Sequence, residues 1–461
     1  MLDVIITLVL VALLIWGIMK KLNPAFLLIS LGLVTLAGVQ LFTGVSVLGD
    51  KSTGSLFFDL FENLVNTASS QLSRNVLLVM TVMGYVFLCE KINASKMFAI
   101  YAAKPFKNVK NPYVVAVVVI ILGAFLKLAI TSSSSLCTML LATMYPVMRA
   151  CGCSKGTAAT AVTMPGCVIW GPSDANIYLC FTLAGREDIS IVEFFTHYQI
   201  PLVIVILAVF AITVPLFSKF WDKREGGTSV GDDEANVKIL TMEELGVPKF
   251  YAIFPLLPLI IILIFSDLIP ATPNISVGAA HWLCLCVVIL VDMIVRKIFT
   301  GSFNLSADFI KGMANYITLG GMIMVGASLF SAALTAVGGM ANIGTLLTSG
   351  NSGYALTLIL AVILGFIIAA FSHVSPALNI FVPLFVTVCA ATGNDIRIMI
   401  LALLSGACWG IAILPTNSAL VIASGAIGVS IPNIMKRNAL PAICAMIATI
   451  VTCLLMAAVG Y

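Results

Sequence analysis

The chain has 461 residues, 61% of them hydrophobic and only 10% charged, with a mean hydropathy of +1.12. A soluble domain of that composition lacks the polar surface to cover itself, and a net charge of +4 with no basic tract interleaved with aromatics argues against nucleic acid as a partner. The composition is that of an all-α polytopic membrane protein whose first partner is the lipid bilayer.

Stretches of about 18 apolar residues, enough to cross about 30 Å of hydrocarbon, recur along the chain. The first, in MLDVIITLVLVALLIWGIMKK, has Asp3 before it and Lys20-Lys21 after it, with no basic leader and no small-residue cleavage site. It reads as a retained span that starts outside. Further spans are expected near residues 24–46, 75–92, 113–130, 157–182 and 198–218. A polar linker, 219–250, then divides the chain, and spans follow near 251–267, 276–296, 312–338, 354–371, 396–414 and 438–458. The twelve cysteines include Cys151-Gly-Cys153 and Cys284-Leu-Cys286 but no CxxC or zinc-type spacing. In apolar spans a free thiol behaves as a small hydrophobe.

Basic residues fix an orientation. With the start outside, nineteen Lys and Arg fall on the inner side, against four outside: Lys51, Arg74, Arg186 and Arg397. Both termini are then extracytoplasmic and the linker is cytoplasmic. The count holds only if residues 113–150 enter and leave on one side. After Ser135 about 15 apolar residues remain before Arg149, a helix of about 22 Å that is too short to span. The segment is therefore expected to dip in, turn at Thr131-Ser132-Ser133-Ser134-Ser135 and return as a re-entrant hairpin, its tip buried in protein or lining a cavity.

The second half repeats the first. An offset of 243 residues lays Pro172 of IWGPSDANIYLC on Pro415 of AILPTNSALVIA and Ser132 on Ser375, while an offset of 240 lays GREDISI on GAIGVSI, Gly185 on Gly425. The second hairpin has almost no flanking basic residues until Arg397, so it enters from outside and the two repeats are inverted. The expected organisation is a first repeat at 1–218, with hairpin 113–150 and broken helix 157–182, the cytoplasmic linker 219–250, and a second repeat at 251–461, with hairpin 354–390 and broken helix 396–427.

Four polar interruptions then share one explanation: Thr131 to Ser135, Gly171 to Asn176, Ser372 to Pro376, and Pro415 to Ser418. Paired interruptions in inverted halves point to a transporter's midplane binding site, where half-helix N-termini offer N–H groups to an anion and exposed carbonyls ligate a cation. The competing reading, hydroxyls bonded back to their own helix, suits one isolated pair better than four symmetric clusters. The candidate substrate contacts are Ser132, Ser133, Ser134, Ser135, Ser173, Ser375, Thr416, Asn417 and Ser418, and the candidate ion-coupling residues are Asp174, Asn176 and His373. A structural ion pair competes for Asp174 and a packing role for His373. Lys127 reads as snorkelling toward the cytoplasm rather than drawing in an anion, and Asp292 as pairing with Arg296. There is no HExxH, GxSxG, Walker or Rossmann motif, so no enzyme is expected. Nor is a cofactor or bound metal expected beyond a coupling Na+ or H+.

The run SSSSLCTMLLATMYPVMRACGCSKGTAATAVTMPGCVIWGPSD and the closing LPTNSALVIASGAIGVSIPNIMKRNALPAI resemble the DcuC family of anaerobic four-carbon dicarboxylate carriers, within the ion transporter superfamily. The resemblance implies a scaffold and a mobile transport domain made of two opposed hairpins and two broken helices. It also implies a homodimer with an elevator-type movement, and uptake, efflux or exchange of fumarate or succinate across a bacterial inner membrane. Ser132 to Ser135 and Pro172 to Asn176 match the first hairpin tip and helix break, Pro415 to Ser418 the second break, and Ser372 to Ser375, more loosely, the second tip. A Gly-Arg of the family pattern is replaced here by Trp409-Gly410-Ile411, which leaves substrate charge to be read by hydroxyls, Asn417 and helix dipoles. A sodium/proton antiporter or a carrier of another organic anion is the alternative within transport. A passive channel is the alternative outside it, disfavoured by the lack of a charged ring or filter repeat.

Overall fold

The computed structural model describes all residues except 1, 21, 104–110, 169, 187, 226–244, 267–268, 270, 318–320, 339–352, 372, 393 and 461. Most of the linker and the tip residue Ser372 thus lie outside the described residues. Among the described residues every regular element is helical. Five helices are long and apolar enough to cross a membrane, or six if the pair Leu77–Lys91 and Ala94–Tyr101, bent by 73°, is one span.

The serine run does break a helix. Pro112–Lys127 and Ser133–Thr143 are separate helices, the second capped by Ser132, whose hydroxyl accepts from Ser135 N at 3.4 Å. In the second half Gly353–Phe371 and Val374–Thr392 stand in the corresponding order. These two pairs are called hairpins I and II below. Each is followed by a helix that tightens into a 3₁₀ turn, stops and restarts. Broken helix I runs Lys155–Thr163, then Met164–Cys167, then Ala175–Ala184; broken helix II runs Ile396–Gly410, then Ile411–Ile413, then Ser418–Ile427.

The two breaks are built alike. Asp174 and Asn417, related by the 243-residue offset, each cap the restarting helix by accepting from the N–H two residues on, at 2.9 Å from Asn176 and 3.0 Å from Ala419. Backbone groups released at each break find side-chain partners, as burial in a membrane protein demands. Tyr178 donates to Pro172 O at 2.7 Å, Gln199 accepts from Gly171 N at 3.1 Å, and Asn417 donates to Ile411 O at 2.8 Å. Gly171, at φ +100°, takes a backbone conformation that a side chain would strain. Both restarted helices end on a left-handed glycine, Gly185 and Gly428. That corrects the sequence alignment in one place: Gly185 corresponds to Gly428 rather than Gly425, and the three-residue difference falls in the loop before the caps Ser190 and Ser430.

Helices from both halves mix in two packing groups. In one, Pro24–Thr43 packs on Met322–Val337, and Leu77–Lys91 on Leu305–Tyr316 and Val277–Arg296. In the other are the hairpins, the broken helices, Ile191–Arg224 and Ile431–Val459. Each hairpin packs on the broken helix of the opposite half: Ser133–Thr143 on Ser418–Ile427, and Val374–Thr392 on Ala175–Ala184.

Several expected spans differ in extent. The stretch before residue 75 holds an amphipathic helix, Leu56–Gln71, running through a π turn into Leu77–Lys91. Of the span expected near 312–338, Leu305–Tyr316 and Met322–Val337 are helical on either side of residues 318–320, which lie outside the described residues. The helix expected at 198–218 runs from Ile191 to Arg224, into the linker. Its extension has a polar cause. Asp222 accepts from Ser154 at 2.6 Å, Thr157 at 2.9 Å and Arg437 at 2.8 Å, and Asp222 and Arg437 are each 4% exposed. Removing one member of a buried pair strands the other, at a cost of about 3 kcal/mol or more. Asp222→Ala should accordingly lower the melting temperature in detergent well beyond Glu225→Ala, which touches the same arginine from a half-exposed position. Equal melting of the two variants would refute that ranking. Asp292 pairs with Arg296 at 2.9 Å, as its spacing suggested, and also accepts from Ser302 at 2.6 Å and from Tyr251.

Candidate functional site

The two packing groups share a buried apolar core, with gaps left in it. A cavity of about 280 Å³ lies between them, with Met83, Tyr316, Ile323 and Met324 on one side. On the other are Ser132 of hairpin I, Asn176 of broken helix I and Ser375 of hairpin II. Three of the four polar interruptions therefore meet at one place. Ser375 Oγ lies 3.5 Å from Asn176 Oδ1, and Asn176 donates from both N and Nδ2 to Asp174 Oδ1 at 2.9 Å. Asp174 is itself 4% exposed, behind this wall.

The serines of hairpin I divide their work. Ser132 and Ser134 share a hydrogen bond of 2.9 Å, and Ser133 donates to Gly166 O at 2.9 Å, tying the tip to the turn of broken helix I. Ser134 and Ser135 face a second cavity of about 410 Å³, with Thr138, Ile422 and the facing residues Glu90, Ser95 and Lys96. One hairpin tip thus stands between two cavities.

The second break behaves differently from its twin. Thr416 and Ser418 are exposed, and the Asn417 amide, 4% exposed, is engaged at both ends by its own break, with Ile411 O and Ala419 N. None of the three lines the 280 Å³ cavity. Ser173 is buried within the first break, and His373 is exposed at the tip of hairpin II.

Lys127 overturns its sequence reading. It is 2% exposed rather than snorkelling, and its ammonium curls over the tip of hairpin I to donate to Thr131 O and, at 3.3 Å, to Ser133 Oγ. Thr131, whose carbonyl takes the ammonium, has its own Oγ1 buried without a hydrogen-bond partner. The signal for this placement was depth: Pro112–Lys127 has 16 residues, about 24 Å of helix, far beyond the reach of a lysine back to its start. The apolar wall of Met83, Ile323 and Met324 carried no sequence signal, since nothing distinguishes it from lipid-facing residues.

Away from this centre, a cleft of about 620 Å³ holds partly exposed ion pairs: Arg397 reaches across to Glu193 of the first half at 2.9 Å and pairs locally with Asp395 at 2.8 Å. Within it the Arg186 guanidinium hydrogen-bonds Asp188 and holds its carboxyl below the usual range. Pairs this exposed contribute little to stability.

Hydroxyls, amides and one buried ammonium, gathered at chain breaks inside an all-helical bundle, define a membrane carrier for a small solute rather than an enzyme. The model of one family, described as DcuC, C4-dicarboxylate anaerobic carrier, matches residues 2–458, and the chain belongs to that family. It is similar to the anaerobic C4-dicarboxylate transporter DcuC of Escherichia coli K12, 23% identical over 437 residues that cover 92% of each chain. It is also similar to the probable anaerobic C4-dicarboxylate transporter DcuC of Vibrio cholerae serotype O1, 24% identical over 461 residues covering 98% and 97%. In fold it is similar to the YdaH transporter of Alcanivorax borkumensis, at a TM-score of 0.69 and 15% identity, covering 95% of this chain and 99% of that one. MtrF of Neisseria gonorrhoeae, described among antimetabolite efflux pumps, gives a TM-score of 0.64 at 13% identity, covering 99% and 95%. At these identities the two structures establish a common fold only.

Proposed function

We propose that the protein is a secondary active transporter moving small dicarboxylates of the fumarate and succinate class across the cytoplasmic membrane, by exchange or by symport with Na+ or H+. The observation that carries this reading is the 280 Å³ cavity in which Ser132, Asn176 and Ser375 converge from three separate chain breaks. Drug-sized ligands occupy sites of about 300–1,000 Å³, so a cavity just below that range suits a solute of a few carbons. Its hydroxyl and amide donors suit carboxylate oxygens. The substrate contacts are assigned to Ser132, Asn176 and Ser375, and the coupled ion to Asp174 and neighbouring carbonyls.

Movement is assigned to the interface between the packing groups. Cavities of about 280, 410 and 480 Å³ lie along it, each lined from both sides. These gaps suit an elevator in which the hairpins and broken helices ride against the remaining helices. On this reading the halves are inverted repeats, both termini are extracytoplasmic and the unit is a homodimer.

The test is counterflow of labelled succinate into proteoliposomes preloaded with unlabelled succinate, fumarate, a monocarboxylate or buffer. Accumulation only with a dicarboxylate inside is the expected result. Folded protein that accumulates nothing under any preload would overturn the substrate assignment in favour of ion antiport or another anion. Label that equilibrates without saturation or preload dependence would mean a channel.

A further inference from the structure

The dicarboxylate reading leaves open which group answers the substrate's charge, and the buried cations narrow the answer. Among the described residues only Lys127 and Arg437 are buried lysines or arginines. Arg437 is consumed by Asp222 and Glu225, at 2.8 and 2.6 Å. Position 411, just before the second break, is a buried isoleucine, and the neighbouring Trp409 turns its indole to Thr449 at 2.9 Å. Lys127 is different. Its ammonium has three donors, and its partners are a carbonyl and a hydroxyl at the longer distance of 3.3 Å, neither of which carries charge. Asp174, the buried carboxylate of the first break, is held by Asn176 instead and makes no ion pair with Lys127 among the described residues. A buried ammonium with no anion in contact is expensive to keep. Lys127 does not itself line the cavity, but it is one residue removed from a wall that does: it donates to Ser133, next in the chain to the lining Ser132.

Resting on the reading above, we propose that Lys127 is the specificity-determining cation of the substrate site, taking one carboxylate of the dicarboxylate at the tip of hairpin I. The second carboxylate falls to neutral donors, the hydroxyls of Ser132 and Ser375 and the amide of Asn176. Arrival of the anion draws Lys127 away from the field of Asp174. The aspartate then needs a proton or a sodium ion of its own, so anion and cation load together. Thr131 Oγ1, buried and unpartnered on the residue whose carbonyl holds the ammonium, is a donor available to the same carboxylate.

The experiment uses the full chain in proteoliposomes, with Lys127→Gln and the charge-balanced double variant Lys127→Gln/Asp174→Asn beside the wild type. Folding is checked by size exclusion and melting temperature. The readouts are the KM for succinate counterflow and the discrimination between succinate and butyrate as competitors. A lost charge-assisted hydrogen bond predicts a KM raised about 10- to 100-fold and discrimination collapsing toward unity in whichever variants fold. If Lys127 only balances Asp174, the double variant restores that balance and recovers wild-type KM, and the assignment falls. An unchanged KM in folded Lys127→Gln overturns it equally. Wild-type protein that performs no dicarboxylate counterflow overturns the function proposed above, an outcome distinct from wild-type counterflow with an indifferent Lys127.

Discussion

Gly410→Ala is expected to destabilise the protein by about 3 kcal/mol or more, at the upper end of what overpacking costs, and to leave little folded material in detergent. Gly406 and Gly410 are spaced as the glycines of GxxxG, a pattern that lets membrane helices approach backbone to backbone. A Cβ on Gly410 would run into the Phe366 carbonyl oxygen and lie 2.9 Å from Ala370 N, and one on Gly406 would meet the Val362 carbonyl. These neighbours are backbone on the first arm of hairpin II, so no rotamer change relieves them. Gly425 is the internal control. It lies within a helix with nothing near its would-be Cβ, so Gly425→Ala should be neutral or stabilising by up to about 1 kcal/mol. Thermal melting of the two variants side by side decides the matter, and a Gly410→Ala protein as stable as the control would mean the two helices can part freely.

Asp174→Asn separates a residue's charge from its capping role. Asn caps a helix about as well as Asp, and at the equivalent place Asn417 already does so, so the variant should fold and melt with the wild type. Removing the negative charge near Lys127 should tighten succinate binding by about tenfold or less, read by titration calorimetry. The same change should abolish gradient-driven accumulation, because the group assigned to the coupled cation is gone. Exchange should persist. Accumulation that still follows the Na+ or pH gradient would remove Asp174 from the coupling scheme.

The helical class and the chain breaks were legible because hydrophobic length and its interruption are local signals. A run of four serines or a Pro-Ser-Asp leaves its mark whatever surrounds it. What packs on what is not local. Nothing in the spacing of Thr416, Asn417 and Ser418 told that the second break spends its amide on Ile411 O while the first turns Asn176 toward a cavity. Lys127 was misread because snorkelling was judged from the sequence of the arm rather than from the length of helix beneath it. The amphipathic helix Leu56–Gln71 escaped notice for a different reason: its alternation of phenylalanines with polar residues never reaches the mean hydropathy of a span.

The hairpin partners carry a consequence for how the protein is made. Cys137, in the returning arm of hairpin I, bonds the carbonyl of Ala419, 282 residues further along the chain. While the ribosome is still working toward that residue, the serine tip of hairpin I has emerged and its eventual cover, Ser418–Ile427, does not yet exist. Polar turns without protein around them are not tolerated in hydrocarbon. The newborn first half must therefore wait near the headgroups or inside the insertion machinery, and the membrane core closes around it only when the last helices arrive.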